Sequence, residues 1–203
     1  MNNEGVISMK QQETIHSQKY VLLHFFTIYL SITLVCAIQP TANAQTNSNV
    51  VGPKVGDQAP DFTLYDFKGN KFTLSKLTKK KAALLWFTNL CEGCQTKIPE
   101  VQKLKLLYQK KDVDVAAVSM LGEDRATVEE VMRKNNIAFR FLYDPKGQAT
   151  ERFSGKYVEG TCPLKNIYVI ERGGKIIYAS HLPGATEQEL NQQLERVTKG
   201  AHK

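Results

Sequence analysis

From Val55 onward the chain switches repeatedly between apolar patterns of different period. Asp61 to Leu64 and Lys71 to Leu74 alternate apolar and polar residues on either side of Lys68-Gly69-Asn70, which predicts a β-hairpin. Ala82 to Thr88 is a continuous apolar run, the pattern of a central strand buried on both faces. Ile98, Val101, Leu104, Leu107 and Tyr108 then recur at helical spacing. Val113 to Met120 reads as a second buried strand. Asp124 is placed to cap a helix with Val128, Val131 and Met132 on its apolar face. Phe139 to Tyr143 is a short strand ended by Asp144-Pro145. Ile167 to Ile170 and Lys175 to His181 form a hairpin about Gly173-Gly174. Thr186-x-x-Glu189 is a capping box that opens a last helix with Leu190, Leu194 and Val197 facing inward. Strands and helices in this order predict an α/β domain with a central mixed sheet. Right-handed crossovers place helices on both of its faces.

The first part of the chain has a different texture. Tyr20 to Ile38 is an almost unbroken apolar run preceded by Lys10 and Lys19. Gln39 to Ala44 follows, and Ala42-x-Ala44 has the small-residue form of a signal-peptidase site. Residues 1–44 therefore read as a signal peptide, or as an uncleaved membrane anchor formed by residues 20–38. Either way the rest of the chain is exported, and it meets the membrane through this segment only if the segment stays attached. Residues 45–54 read as a linker and residues 55–200 as one folded domain, long enough for a single sizeable core. Cys36, inside the apolar run, reads as a small apolar residue.

Composition changes little in this picture. Of 203 residues, 42% are hydrophobic and 23% charged, ordinary for a globular domain. The net charge of +7 favours acidic partners or anionic membrane surfaces, but Lys79-Lys80-Lys81 and Lys110-Lys111 read first as solvated lysines. No nucleic-acid motif accompanies them.

The cysteines carry the chemistry. The strand ending at Thr88 runs into Cys91-Glu92-Gly93-Cys94, where a helical pattern begins. A helix start offers unpaired N–H groups and a partial positive charge, which eases loss of a thiol proton. Cys94, three residues on, lies on the same helical face and can close a Cys91–Cys94 disulfide. A zinc half-site or two unrelated core thiols would also account for the pair, but no second Cys or His pair follows at metal-ligand spacing. Cys162 stands apart from the pair, either as a free buried thiol or as a group with a redox or metal-binding role.

Three motifs together make the chain similar to the thioredoxin superfamily over about residues 52–200. They are Val55 to Phe62, Cys91-x-x-Cys94 followed by Pro99, and Ile170 to Ile176. The resemblance is to exported thiol-disulfide oxidoreductases of the TlpA/ResA type, which overlap with the redoxin and AhpC/TSA peroxiredoxin groups. It implies a thioredoxin-like fold with an N-terminal β-hairpin extension. It also implies exchange of electrons with protein disulfides without a metal or organic cofactor. The implied partners are exported cysteine-containing proteins, such as apocytochromes c, and a membrane thiol-disulfide electron donor.

The departures from the superfamily's pattern define the open questions. Leu90 stands where a Trp is common, Leu85 where thioredoxins hold a buried Asp, and Lys97 where this type often has Glu. Lys97 would stabilise a nearby thiolate, or it is a solvated lysine. The usual cis-proline position falls on Lys165, two residues after Pro163. Either a bulge restores Pro163 and sets Cys162 against Cys91, or Lys165 replaces the proline. Peroxiredoxins carry Arg near that position and Thr or Ser three residues before their reactive Cys, where this chain has Thr88. A second reading is therefore a thiol peroxidase, with Cys91 oxidised by peroxide to a sulfenic acid, Cys94 resolving it, and Thr88 and Lys165 assisting. A third is a copper- or haem-delivery module using Cys91, Cys94 and Cys162 as soft ligands, with His181 as the one candidate extra ligand.

Overall fold

The computed structural model describes residues 52–120 and 124–199. The segment expected to be a signal or anchor and most of the expected linker lie outside the described residues. Among the described residues, no helix is long and apolar enough to cross a membrane.

Seven strands form one mixed sheet in the order β2-β1-β5-β4-β3-β6-β7. At one edge, β1 (Thr63–Asp66) and β2 (Lys71–Thr73) pair antiparallel, and β1 pairs antiparallel with β5 (Arg140–Tyr143). Next come β4 (Val113–Ser119) and β3 (Ala82–Thr88), both parallel to β5. The far side, β6 (Ile167–Ile170) and β7 (Ile176–Ser180), continues antiparallel. All seven residues of β3 are buried, as a central strand covered on both faces requires.

Alternation along β3 feeds two core layers. Leu84 and Trp86 pack with Val101 and Leu104 of α3 (Ile98–Tyr108), Val128 of α4 (Arg125–Lys134) and Leu190 and Leu194 of α6 (Glu187–Lys199). Leu85 and Phe87 face the other way. They pack with Leu74 of α1 (Leu74–Thr78) and with Ala149 and Phe153 of α5 (Gln148–Ser154). Helices thus cover both faces of a mixed sheet. Leu85, standing where thioredoxins hold an Asp, lies in the layer opposite the one containing Cys94.

The predicted caps form. Asp124 accepts a bond from the Thr127 N–H at 3.3 Å. Thr186 and Glu189 bond reciprocally, at 3.2 Å to the Glu189 N–H and 2.8 Å to the Thr186 N–H. Three features depart from the sequence expectation. Leu107, placed by periodicity on the inner face of α3, is 48% exposed. The helix expected to run on from Cys91 is two helices, α2 (Glu92–Gln95) and α3. Pro99, in the first turn of α3, lacks the N–H that a continuous helix would give to the Gln95 carbonyl. The third is α5, a helix the apolar pattern does not show.

Asp144 explains α5. Its buried carboxylate accepts bonds from both the N–H and the hydroxyl of Thr150, each at 2.9 Å. That holds Phe153 stacked on Phe87 at 4.9 Å between ring centroids. Asp144→Ala is expected to destabilise the domain by about 2 kcal/mol, since it leaves two donors unpaired next to the core. Urea unfolding of the two proteins measures the difference.

Candidate active site

Beyond Thr88 the chain leaves the sheet in a tight turn. Leu90 sits in the left-handed region at φ 53°, which costs a branched residue about 1–2 kcal/mol. Its surroundings hold it there. The Leu90 N–H donates to the Thr88 hydroxyl at 3.0 Å, and its carbonyl accepts from Gln95 Nε2 at 2.7 Å. The turn delivers Cys91 to the N-cap of α2, half-buried at the end of β3. Cys94, within α2, has no exposed surface.

Asn89 organises this turn. Its Oδ1 accepts from the Cys91 N–H at 3.2 Å and faces the Cys94 thiol at 3.7 Å. Its Nδ2 donates to the Thr161 carbonyl at 2.8 Å. One side chain thus ties the Cys91–Cys94 turn to the loop that carries Cys162. Asn166 anchors the other end of that loop. Its main chain continues the ladder on both sides, donating to Ser180 O at 2.8 Å and accepting from Phe87 N at 2.7 Å. Its Oδ1 accepts from the Leu182 N–H at 2.7 Å, and its Nδ2 points at Cys162 Sγ from 3.8 Å.

The result is a cluster of three cysteine side chains. The sulfurs of Cys91, Cys94 and Cys162 all lie within 4.8 Å of one another, with Cys94 and Cys162 4.0 Å apart. His181 Nε2 is 3.1 Å from Cys162 Sγ. The loop sets Cys162 against Cys91, but without a cis-proline at Pro163. The Cys162–Pro163 peptide bond is trans, like the others among the described residues.

The remaining candidates divide. Thr88 is buried, and its hydroxyl acts on Cys94. Lys97 donates to Glu100 Oε2 at 2.9 Å and to the Ala185 carbonyl at 3.0 Å, so its charge is met by Glu100 and clasps α3 to the segment before α6. Pro163 and Lys165 are half-buried, and Lys165 makes no hydrogen bond or ion pair with any described residue. Asn89 and Asn166 escape a reading of the sequence. An Asn two residues before the N–H it caps is a recognisable turn signal. Nothing local marks Asn166, whose partners are assembled by the sheet.

Burial pushes the Cys94 thiol far up, reinforced by its hydrogen bond with Cys91 and by the charges of Cys162 and Cys91; the Thr88 hydroxyl pulls the other way. Burial also raises Cys162, again with Cys91 adding to the shift and the hydrogen bond from Cys94 opposing it. Together these effects favour the neutral thiol at both positions.

A Cys-x-x-Cys pair of unequal exposure, at the end of the central strand of a mixed sheet covered by helices on both faces, defines a thioredoxin-fold oxidoreductase. The chain belongs to the AhpC/TSA family, whose profile matches residues 55–179. It is similar to the thiol-disulfide oxidoreductase ResA of Geobacillus thermodenitrificans, 26% identical over 190 residues, 93% of this chain and 99% of that one. Among solved structures it resembles a candidate thiol:disulfide interchange protein DsbE from Chlorobium tepidum. That match has a TM-score of 0.59 and 26% identity over 71% of this chain and 98% of the other. A candidate protein disulfide isomerase from Bacteroides thetaiotaomicron shares the fold at a TM-score of 0.64 and 23% identity, over 73% and 92% of the two chains.

The raised Cys94 pKa has a consequence for stability. A thiol raised on folding contributes stability that is fully present below the unfolded-state value of about 8.5 and lost progressively as pH rises above it. The reduced domain is therefore expected to lose stability between pH 8 and 10, and Cys94→Ala is expected to flatten that loss. Denaturant unfolding across the range, with and without the substitution, checks both.

Proposed function

We propose that this chain is an extracytoplasmic thiol-disulfide oxidoreductase that exchanges electrons with protein disulfides through Cys91 and Cys94. The observation that carries the reading is the asymmetry of the pair. Cys91 stands half-buried at the mouth of the site, and Cys94 is enclosed behind it, within 4.8 Å. Of the pair, Cys91 is the one that can meet a partner first.

The Cys91 thiolate attacks one sulfur of the partner's disulfide. The partner's S–S bond breaks, its second sulfur leaves as a thiolate and takes a proton from water, and a mixed disulfide remains. Cys94 then gives up its proton and attacks Cys91 Sγ. The mixed disulfide breaks, the first partner sulfur leaves, and Cys91–Cys94 is oxidised. Two electrons have passed to the partner, and a thiol donor restores the pair. Asn89, facing both the Cys91 N–H and the Cys94 sulfur, acts as a positioning residue for this sequence. Burial keeps Cys94 protonated and out of reach of solvent until Cys91 is engaged.

Several features support the substrate and the location. Val158 and Leu164, 58% and 91% exposed, lie in the segment that carries Cys162 and offer an apolar contact to a polypeptide. The ResA relative is named for thiol-disulfide exchange. The apolar run at residues 20–38 with Ala42-x-Ala44 supports export. Exported cysteine-containing proteins then serve as substrates and a membrane thiol carrier as electron donor, with Thr88 moderating Cys94. The peroxidase reading draws less support, because Thr88 acts on Cys94 and Lys165 bonds to nothing among the described residues.

Cys91→Ser is expected to reduce insulin disulfides no faster than buffer. Cys94→Ser should still attack and accumulate a mixed disulfide that a non-reducing gel displays. A Cys91→Ser protein as active as the unaltered chain would overturn the assignment.

A further inference from the structure

Cys162 has no part in the two-cysteine exchange, yet the fold brings it from a distant loop to the pair. Cys91 comes from the turn after β3, Cys94 from α2, and Cys162 from the loop before β6. We infer that the fully reduced chain binds one Cu(I) ion through the sulfurs of Cys91, Cys94 and Cys162. This site uses the same cysteines as the exchange reaction but does not rest on their turnover.

The geometry is close to what one shared ion needs. A metal–thiolate bond is about 2.3 Å, so two sulfurs on one ion stand about 4 Å apart. Cys94 and Cys162 are already 4.0 Å apart, and all three sulfurs are within 4.8 Å. A contraction of less than an ångström completes a triangle. The donor chemistry then selects the ion. Three thiolates form a soft set, which favours Cu(I) or zinc over harder cations. Zinc on these three sulfurs would need a fourth ligand, a water or a reoriented His181. Cu(I), a filled-shell ion content with three soft donors, fits a triangle without a fourth.

The surroundings support the ligands. His181 Nε2 at 3.1 Å and Asn166 Nδ2 at 3.8 Å face the Cys162 sulfur, orienting it as outer partners orient metal ligands. Binding releases the thiol protons to water and transfers no electrons, so copper stays Cu(I) and affinity rises with pH.

The test is competition between the reduced, anaerobic full-length chain and the coloured Cu(I) complex of bicinchoninate. The chain should withdraw one equivalent of Cu(I), and Cys162→Ser should weaken the affinity at least tenfold, about 1.4 kcal/mol. X-ray absorption on the unaltered chain should show three sulfur neighbours around copper, a result independent of whether the variant folds. Failure to withdraw copper, two sulfur neighbours, or a folded Cys162→Ser protein with unchanged affinity would overturn the site. Because these readouts measure metal and not turnover, a chain that takes Cu(I) but leaves insulin intact would sink the exchange reading alone.

Discussion

Strand β3 is covered by a core layer on each face, so its seven residues leave no room for a solvated polar group. The groups that chemistry needs can stand only where the strand ends. Thr88, the last residue, is the transition: buried in the sheet, with a hydroxyl that caps the Leu90 N–H. From there every element of the site is a way of turning a buried strand into a half-buried thiol within a few residues. The left-handed Leu90 makes the turn, the one-turn helix α2 places Cys94 behind Cys91, and Pro99 separates that turn from α3.

Two asparagines convert this turn into a site with a third member. Asn89 reaches across to the Thr161 carbonyl, and Asn166 joins Cys162, the ladder of β3 and β6, and the start of the segment after β7. Both are neutral, and each satisfies donors and acceptors at once, so they fix position without adding charge to a crowded group of thiols. Lys97, three residues after Cys94, is neutralised by Glu100 and serves packing. The electrostatics of the site are therefore those of burial and of sulfur on sulfur.

That balance explains how one cluster suits two uses of thiolate. A buried thiol that resists ionisation waits for an electrophile, either a sulfur already bonded to a partner or a soft cation. In both cases the incoming group supplies what the interior withholds, a place for the thiolate's charge. In the proposed exchange and the proposed Cu(I) site alike Cys91 is the entrance, and Cys162 distinguishes the two. It lies close enough to share an ion, while the exchange reaction needs only the pair.

The architecture was legible in the chain because its causes are local. Continuous apolar runs marked β3 and β4, helical spacing marked α3, α4 and α6, and Asp124 and Thr186-x-x-Glu189 marked two helix starts. Leu107 misled, since periodicity assigns a face without knowing where the neighbouring helix stops. Helix α5 stayed hidden because no apolar period marks its supports, the Asp144 carboxylate just before it and the Phe87 ring of β3. At the site, Cys91 and Cys94 could be read from their spacing at a strand end, and chain order alone makes them a pair. Cys162 could only be flagged. Its distance to Cys94 is set by how β6 lies against β3 and by bonds from Asn89 and Asn166 across many residues of chain. Residue order tells which groups can react. That three thiols meet is a matter of packing, because only packing brings together residues that no local period connects.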